Sequence, residues 1–119
     1  MKRSSRRPEQ VAEAIRQIIA ETLSRDVRDP RVGDATVTGV RVSNDLSHAT
    51  ILVTVPGGEP EKERALAGLA SASGFLRTTL ARTLTRRTVP ELHFDIDRGL
   101  EHAARIEELL SGLNQEDTG

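Results

Sequence analysis

Arginine carries the clearest chemical signal in this sequence. Arg77, Arg82, Arg86 and Arg87 stand in a run of 26 residues, Ala65 to Pro90, that holds no acidic side chain. Each guanidinium is permanently charged and presents a planar fork that matches a phosphate. On a helix Arg82 and Arg86 share a face, roughly opposite the leucines Leu76, Leu80 and Leu84, while Arg77 lies on a flank. Just upstream stands Ala72-Ser73-Gly74. Glycine costs about 1 kcal/mol against alanine inside a helix, so the sequence predicts a break or kink there. Glycine also lets another chain come close to the backbone. A helix restarting at Gly74 would offer unpaired N–H groups and a positive dipole end to an anion. Ser73, Gly74 and the four arginines are therefore candidate ligands for a polyanion. Lys2, Arg3, Arg6 and Arg7 form a second basic cluster, read as a flexible arm over residues 1–7. A solubilising helix face would use the same arginines, so the charge map alone does not separate the two roles.

Other chemistries find less support. Asp45, Ser47 and His48 lie within four positions of a turn, where Asp and Ser ordinarily bond nearby backbone. No nucleophile elbow or orienting partner accompanies them, so catalysis is not expected. His48, His93 and His102 lack metal-ligand spacing in the sequence, and with no cysteine neither thiolate metal sites nor disulfides can form. Neither a metal nor a cofactor is expected. Phe75 and Phe94 are the only aromatic residues. Their scarcity argues against a binder that stacks bases on aromatic platforms, and both are assigned to the core.

Composition bounds the remainder. A chain of 119 residues with 29% charged and 36% hydrophobic residues is most simply one domain built on Leu, Ile, Val and Ala. No apolar stretch approaches a membrane span, no apolar secretory region follows the basic start, and a reduced cytoplasmic setting fits best. The formal net charge of −1 conceals an asymmetry, because Glu91 to Gly119 carries eight acids against Arg98 and Arg105. Such segregation favours directional binding to a polyanion.

The elements that must position these residues follow from periodicity. Pro8 and Glu9 open a helix whose stripe is Val11, Ile15, Ile18, Ile19 and Leu23, and Asp29-Pro30 ends its reach. Thr36 to Ser43 and Ala49 to Val55 read as strands joined by the turn formers Asn44 to His48. Pro60 opens the next helix, with Leu66, Leu69 and Ala70 inward; beyond the glycine a second helix continues with the leucines. Leu92, Phe94 and Ile96 alternate as a strand, with His93 facing outward. Ala103, Ile106, Leu110 and Leu113 mark a last amphipathic helix. The predicted order is αββααβα, an α+β layer with helices on one face of a three-stranded sheet. The domain is expected to span 8–113, with a polar tail at 114–119.

The order of elements resembles a type II K-homology domain, and the local strings are similar to the ribosome-binding factor A family. These strings are Asp29-Pro30-Arg31, Ser43-Asn44-Asp45-Leu46-Ser47-His48-Ala49, Ala72-Ser73-Gly74-Phe75-Leu76-Arg77, Arg87-Thr88-Val89-Pro90-Glu91-Leu92-His93-Phe94 and Arg105-Ile106-Glu107-Glu108-Leu109-Leu110. In register they cover most of the chain from about Pro8 to Leu110. The resemblance implies a type II KH-like αββααβ domain with an additional C-terminal helix. In it an Ala-x-Gly kink, here Ala72-Ser73-Gly74, replaces the Gly-x-x-Gly loop. It also implies a ribosome-biogenesis factor without catalysis of its own. Such a factor binds 16S rRNA in free or immature 30S subunits, with ribosomal proteins as further contacts, and assists late assembly and rRNA processing. Without a protruding loop to clamp the nucleotide backbone, the arginines must supply more of the affinity. The expected RNA contacts are Ser73, Gly74, Arg77, Arg82, Arg86 and Arg87, with Lys2, Arg3, Arg6 and Arg7 from the arm. A protein-interaction module and a generic KH-type RNA binder are the alternatives, and a monomer is the simplest state.

Overall fold

Apolar residues at helical spacing and at strand alternation converge on one core. In the computed structural model, which describes the backbone of residues 2–84 and 89–118 and the side chains of 7–84 and 89–112, the order is αββαβα. The elements are α1 (Lys2–Arg25), β1 (Thr36–Val42), β2 (His48–Thr54), α2 (Glu59–Thr83), β3 (Glu91–Ile96) and α3 (Arg98–Thr118). The sheet order is β1-β2-β3, with β1 antiparallel and β3 parallel to the central strand β2. Ala49, Ile51 and Val53 of β2 are completely buried, as are Ile15 and Ile19 of α1 and Ala65, Leu69, Leu76 and Leu80 of α2. Leu92 and Ile96 complete the same layer from β3. Both helices thus cover one face of the sheet. The alternate positions, including His48, Glu91 and His93, are left on the other.

Three expectations change. First, α2 is helical without interruption through Ala72, Ser73 and Gly74, so the two expected helices are one element. The reason is energetic. Leu76 and Leu80 beyond the glycine lie on the stripe that Ala65 and Leu69 begin, and each buried leucine stabilises by about 1.5–3 kcal/mol. The glycine costs only about 1 kcal/mol. Gly74 therefore spends its N–H on the carbonyl four residues back and offers no free helix N-terminus.

Second, α1 starts at Lys2, upstream of Pro8, which lies within it. The proline forfeits one backbone bond, to the carbonyl of Ser4, at a point before the buried stripe has begun at Val11.

Third, α3 does not bury its apolar stripe, since Ile106, Leu109 and Leu110 are 43%, 59% and 55% exposed. Its hold is at its first turns. The Asp97 carboxylate accepts the Leu100 N–H at 3.0 Å as an N-cap and the Thr38 hydroxyl at 2.6 Å. Thr38 is free to reach it because the β1–β2 register shifts between Val37 and Gly39. Lys62 to Glu101 and Arg98 to Glu59, at 3.5 and 3.3 Å, tie the same turns to the start of α2.

Candidate nucleic-acid interface

The face of α2 turned away from the sheet is where the chemistry collects. Pro60 in the first turn and the acids Glu59 and Glu61 beside the positive dipole end start this helix. The core-facing positions then recur at Ala65, Leu69, Leu76 and Leu80. Their opposite face carries Arg64, Ser71, Phe75, Thr78 and Arg82, all exposed. Thr78 and Thr79 each donate a hydroxyl to the carbonyl four residues back, Gly74 at 3.0 Å and Phe75 at 3.1 Å. That pairing is a known source of gentle helix bending.

Of the residues singled out from the sequence, Gly74 is exposed and Ser73 half-buried. Arg82 is exposed and Arg77 lies on the flank, donating to the Val89 carbonyl at 3.3 Å. Among the described residues neither arginine forms an ion pair. Arg86 and Arg87 lie outside the described residues, as do the side chains of Lys2, Arg3 and Arg6. Arg7 is exposed.

Phe75 departs from expectation. It is 48% exposed rather than part of the core, on the same stripe as Arg82. Helical angle could have shown this, because Phe75 falls between Leu69 and Leu76 only in sequence, not around the helix axis. An aromatic ring beside arginine on a solvent-facing helix is a place where a base can stack.

The glycine roles are also redistributed. A Cβ added at Gly74 would meet nothing within 4 Å. One at Gly68 would lie 3.0 Å from Val32 Cγ2 and 3.1 Å from Arg31 Cβ. Gly68 is therefore the close-packing glycine, and it seats the Asp29-Pro30-Arg31 segment on α2. That segment is braced. The Arg31 guanidinium bonds both Asp29 oxygens and reaches Ser71 Oγ at 3.2 Å. The Arg31 side chain, and then its backbone N–H, hold the Asp29 carboxyl below its ordinary range.

The turn before β2 behaves as turn chemistry. One oxygen of Asp45 accepts the Ser47 hydroxyl at 2.6 Å, the Ser43 hydroxyl at 2.7 Å and the Ser47 N–H at 3.1 Å. Leu46 takes a left-handed φ of 62° while its side chain packs against the core. Those donors, the Ser47 hydroxyl first, lower the Asp45 pKa to about 2. A depressed folded-state pKa stabilises the fold above the unfolded value of about 3.9 and loses that contribution as pH falls towards 2. In urea titrations Asp45→Asn should therefore be less stable than the parent at pH 5, with the gap closing towards pH 2. A gap independent of pH would remove the carboxylate from the explanation.

A three-stranded mixed sheet backed on one face by two helices, with a third helix capped from the end of the last strand, defines a K-homology-like α+β domain. The chain belongs to the ribosome-binding factor A family. The family model described as Ribosome-binding factor A matches residues 7–110. A ribosome-binding factor A of Rhodopirellula baltica is 44% identical over 116 residues, covering 98% of this chain and 85% of that one. That of Thermomicrobium roseum is 45% identical over 112 residues, covering 94% and 87%. The crystal structure of ribosome-binding factor A from Thermus thermophilus superposes with a TM-score of 0.69 at 31% identity, over 76% of this chain and 96% of that one. Coordinates of the Thermus thermophilus factor fitted into a cryo-EM map of a 30S–RbfA complex give 0.61 at 32% identity, over 73% and 91%.

Proposed function

We propose that this protein binds the small ribosomal subunit, contacts its 16S rRNA through the exposed stripe of α2, and assists late assembly and rRNA processing in the cytoplasm without catalysing a step itself. The observation that carries this reading is the stripe: Phe75, Thr78 and Arg82 stand in solvent on a stretch free of acid from Ala65 to Pro90. Family membership supports it, as does the relative's place in a 30S complex. Arg82, with Arg77 on the flank, supplies sequence-independent attraction to phosphates. Phe75 supplies a face for an unpaired base. Arg86 and Arg87 extend the basic run, and Lys2, Arg3, Arg6 and Arg7 add a second basic contact. Gly74 keeps the middle of the stripe low, so RNA can lie close to the helix. Ribosomal proteins bordering that RNA are further contacts, and one monomer binds one particle.

The test is co-sedimentation of the purified protein with free small and free large subunits at moderate salt, followed by footprinting of 16S rRNA. The expected result is retention with small subunits alone and protection of a confined rRNA segment. Equal retention on both subunits would reduce the protein to a generic RNA binder. Retention that survives high salt and leaves no rRNA footprint would make it a protein-interaction module.

A further inference from the structure

The open face of the sheet holds a second cluster, distinct from the arginine stripe of α2 and unused by the function above. His48 begins β2 and pairs in parallel register with Glu91, the first residue of β3; His93 lies two residues further along β3. Alternation turns Glu91 and His93 to the same face, and neighbouring strands are only about 4.8 Å apart. The His48 ring therefore reaches both. His48 Nδ1 lies 3.0 Å from His93 Nε2 and 3.2 Å from Glu91 Oε2, and His93 Nε2 lies 3.6 Å from the same oxygen.

We propose that His48, Glu91 and His93 form a binding site for a divalent transition metal of the zinc class. The argument is metric. A tetrahedral ion with bonds of about 2.0–2.1 Å to nitrogen and oxygen separates its donor atoms by about 3.3 Å. The three observed separations, 3.0, 3.2 and 3.6 Å, bracket that value. A triangle with these sides has a circumradius of about 1.9 Å, so one position lies at bonding distance from all three atoms. Two neutral imidazoles and one carboxylate is also the donor set of known open zinc sites, in which three protein ligands leave a position for water. Imidazole nitrogen favours zinc, nickel and copper over magnesium and calcium, which take oxygen.

The scaffold is pre-organised rather than floppy. All three residues sit on paired strands, and the Glu91 N–H donates to the Ser47 carbonyl at 2.9 Å, fixing the two strand starts against each other. His48 is anchored further by its own N–H, donated to Ser43 Oγ at 3.0 Å within the Asp45 turn. All three side chains are about half exposed, so an ion enters without rearrangement and keeps a solvent-facing position. Without metal the 3.0 Å contact is an N–H···N hydrogen bond between the rings; on binding, the donating ring passes to its other tautomer, with its proton on the nitrogen facing away from the ion.

Tag-free full-length protein should be titrated with zinc chloride by calorimetry, with magnesium chloride as control, while nitrogen-15 shifts of the histidine rings are followed by NMR. The expected result is one zinc per chain and no magnesium heat. His48 should shift at Nδ1 and His93 at Nε2, the two nitrogens that face each other. His48→Ala and His93→Ala should each weaken zinc by at least about tenfold, since even outer-shell partners cost that much. His102→Ala should bind like the parent. Glu91→Gln removes the anionic ligand while keeping size, and should also weaken binding. Zinc binding that persists unchanged in His48→Ala, metal shifts at His102 instead, or no saturable heat would each overturn the proposal. Circular dichroism of the variants keeps the test valid, because all three side chains are exposed and their removal should leave the fold intact.

Discussion

Phe75→Ala combined with Arg82→Glu is expected to lower affinity for small subunits by at least about tenfold while leaving the protein folded. Stacking on an aromatic is worth about 1–3 kcal/mol per base, and 1.4 kcal/mol is a factor of ten. Phe75→Ala alone therefore removes roughly 5- to 150-fold if one base stacks there. Its mark is a weaker affinity at unchanged salt dependence, because no charge is removed. Arg82→Glu has the opposite mark. Every phosphate that the protein no longer neutralises makes the slope of log affinity against log salt shallower by about 0.7–0.9, so this variant approaches the parent as salt rises. Both side chains are exposed on α2, and surface changes of this kind usually stay within about 0.5 kcal/mol. The thermal midpoint of the double variant should move by no more than about 4 °C. Unchanged affinity and unchanged slope in the double variant would remove this face from the interface. A fall of many degrees would mean that Phe75 is a packing residue rather than part of a solvent-facing stripe.

The parts of this fold that were legible in the sequence are those fixed by local periodicity. Val11, Ile15 and Ile19, the alternation in β2, and Leu92 with Ile96 all announce a buried face, and all are buried. The Asp45 turn was legible too, because Asp and Ser bond backbone within a few residues whatever the tertiary context. What the sequence concealed depends on contacts between distant segments. Ala72-Ser73-Gly74 carries the local signature of a helix end, yet the buried leucines beyond it hold the helix continuous. Gly68 carries no signature at all, since its partner is the loop at Arg31 and Val32, more than thirty residues earlier. His48 and His93 are far apart in the chain, and only the parallel pairing of β2 with β3 brings their rings together. A search for ligand spacing along one segment cannot find such a site. The exposure of α3 was hidden for a related reason: an amphipathic pattern states that a helix has an apolar side, not that the same chain supplies what covers it.

The two glycines of α2 give the sharpest test of that distinction, because alanine should act in opposite directions at positions six residues apart. At Gly74 an added methyl meets nothing within 4 Å, so the gain in helix propensity, about 1 kcal/mol, is not offset by any clash. Gly74→Ala should raise the thermal midpoint by about 4 °C for a domain of this size. At Gly68 the same methyl would sit 3.0 Å from Val32 Cγ2, 3.1 Å from Arg31 Cβ and 3.3 Å from the Val32 nitrogen. A rotamer change could move the first of these atoms, but the other two are fixed to the backbone. That backbone cannot retreat cheaply. The Arg31 N–H donates to Asp29 Oδ1 at 2.9 Å and the Val32 N–H to the Asp29 carbonyl at 3.0 Å. Overpacking costs about 1–3 kcal/mol, so Gly68→Ala should be destabilised by up to about 2 kcal/mol net of its propensity gain. Differential scanning calorimetry of the two variants decides the matter. A destabilised Gly74→Ala would show that the helix there needs a conformation alanine resists. The stabilised variant has a further use in subunit binding. If it sediments less with small subunits than the parent, unfolding is excluded as the cause, and the ligand must approach the α2 backbone where only hydrogen stood. If it sediments as well, the affinity belongs to Phe75 and the arginines.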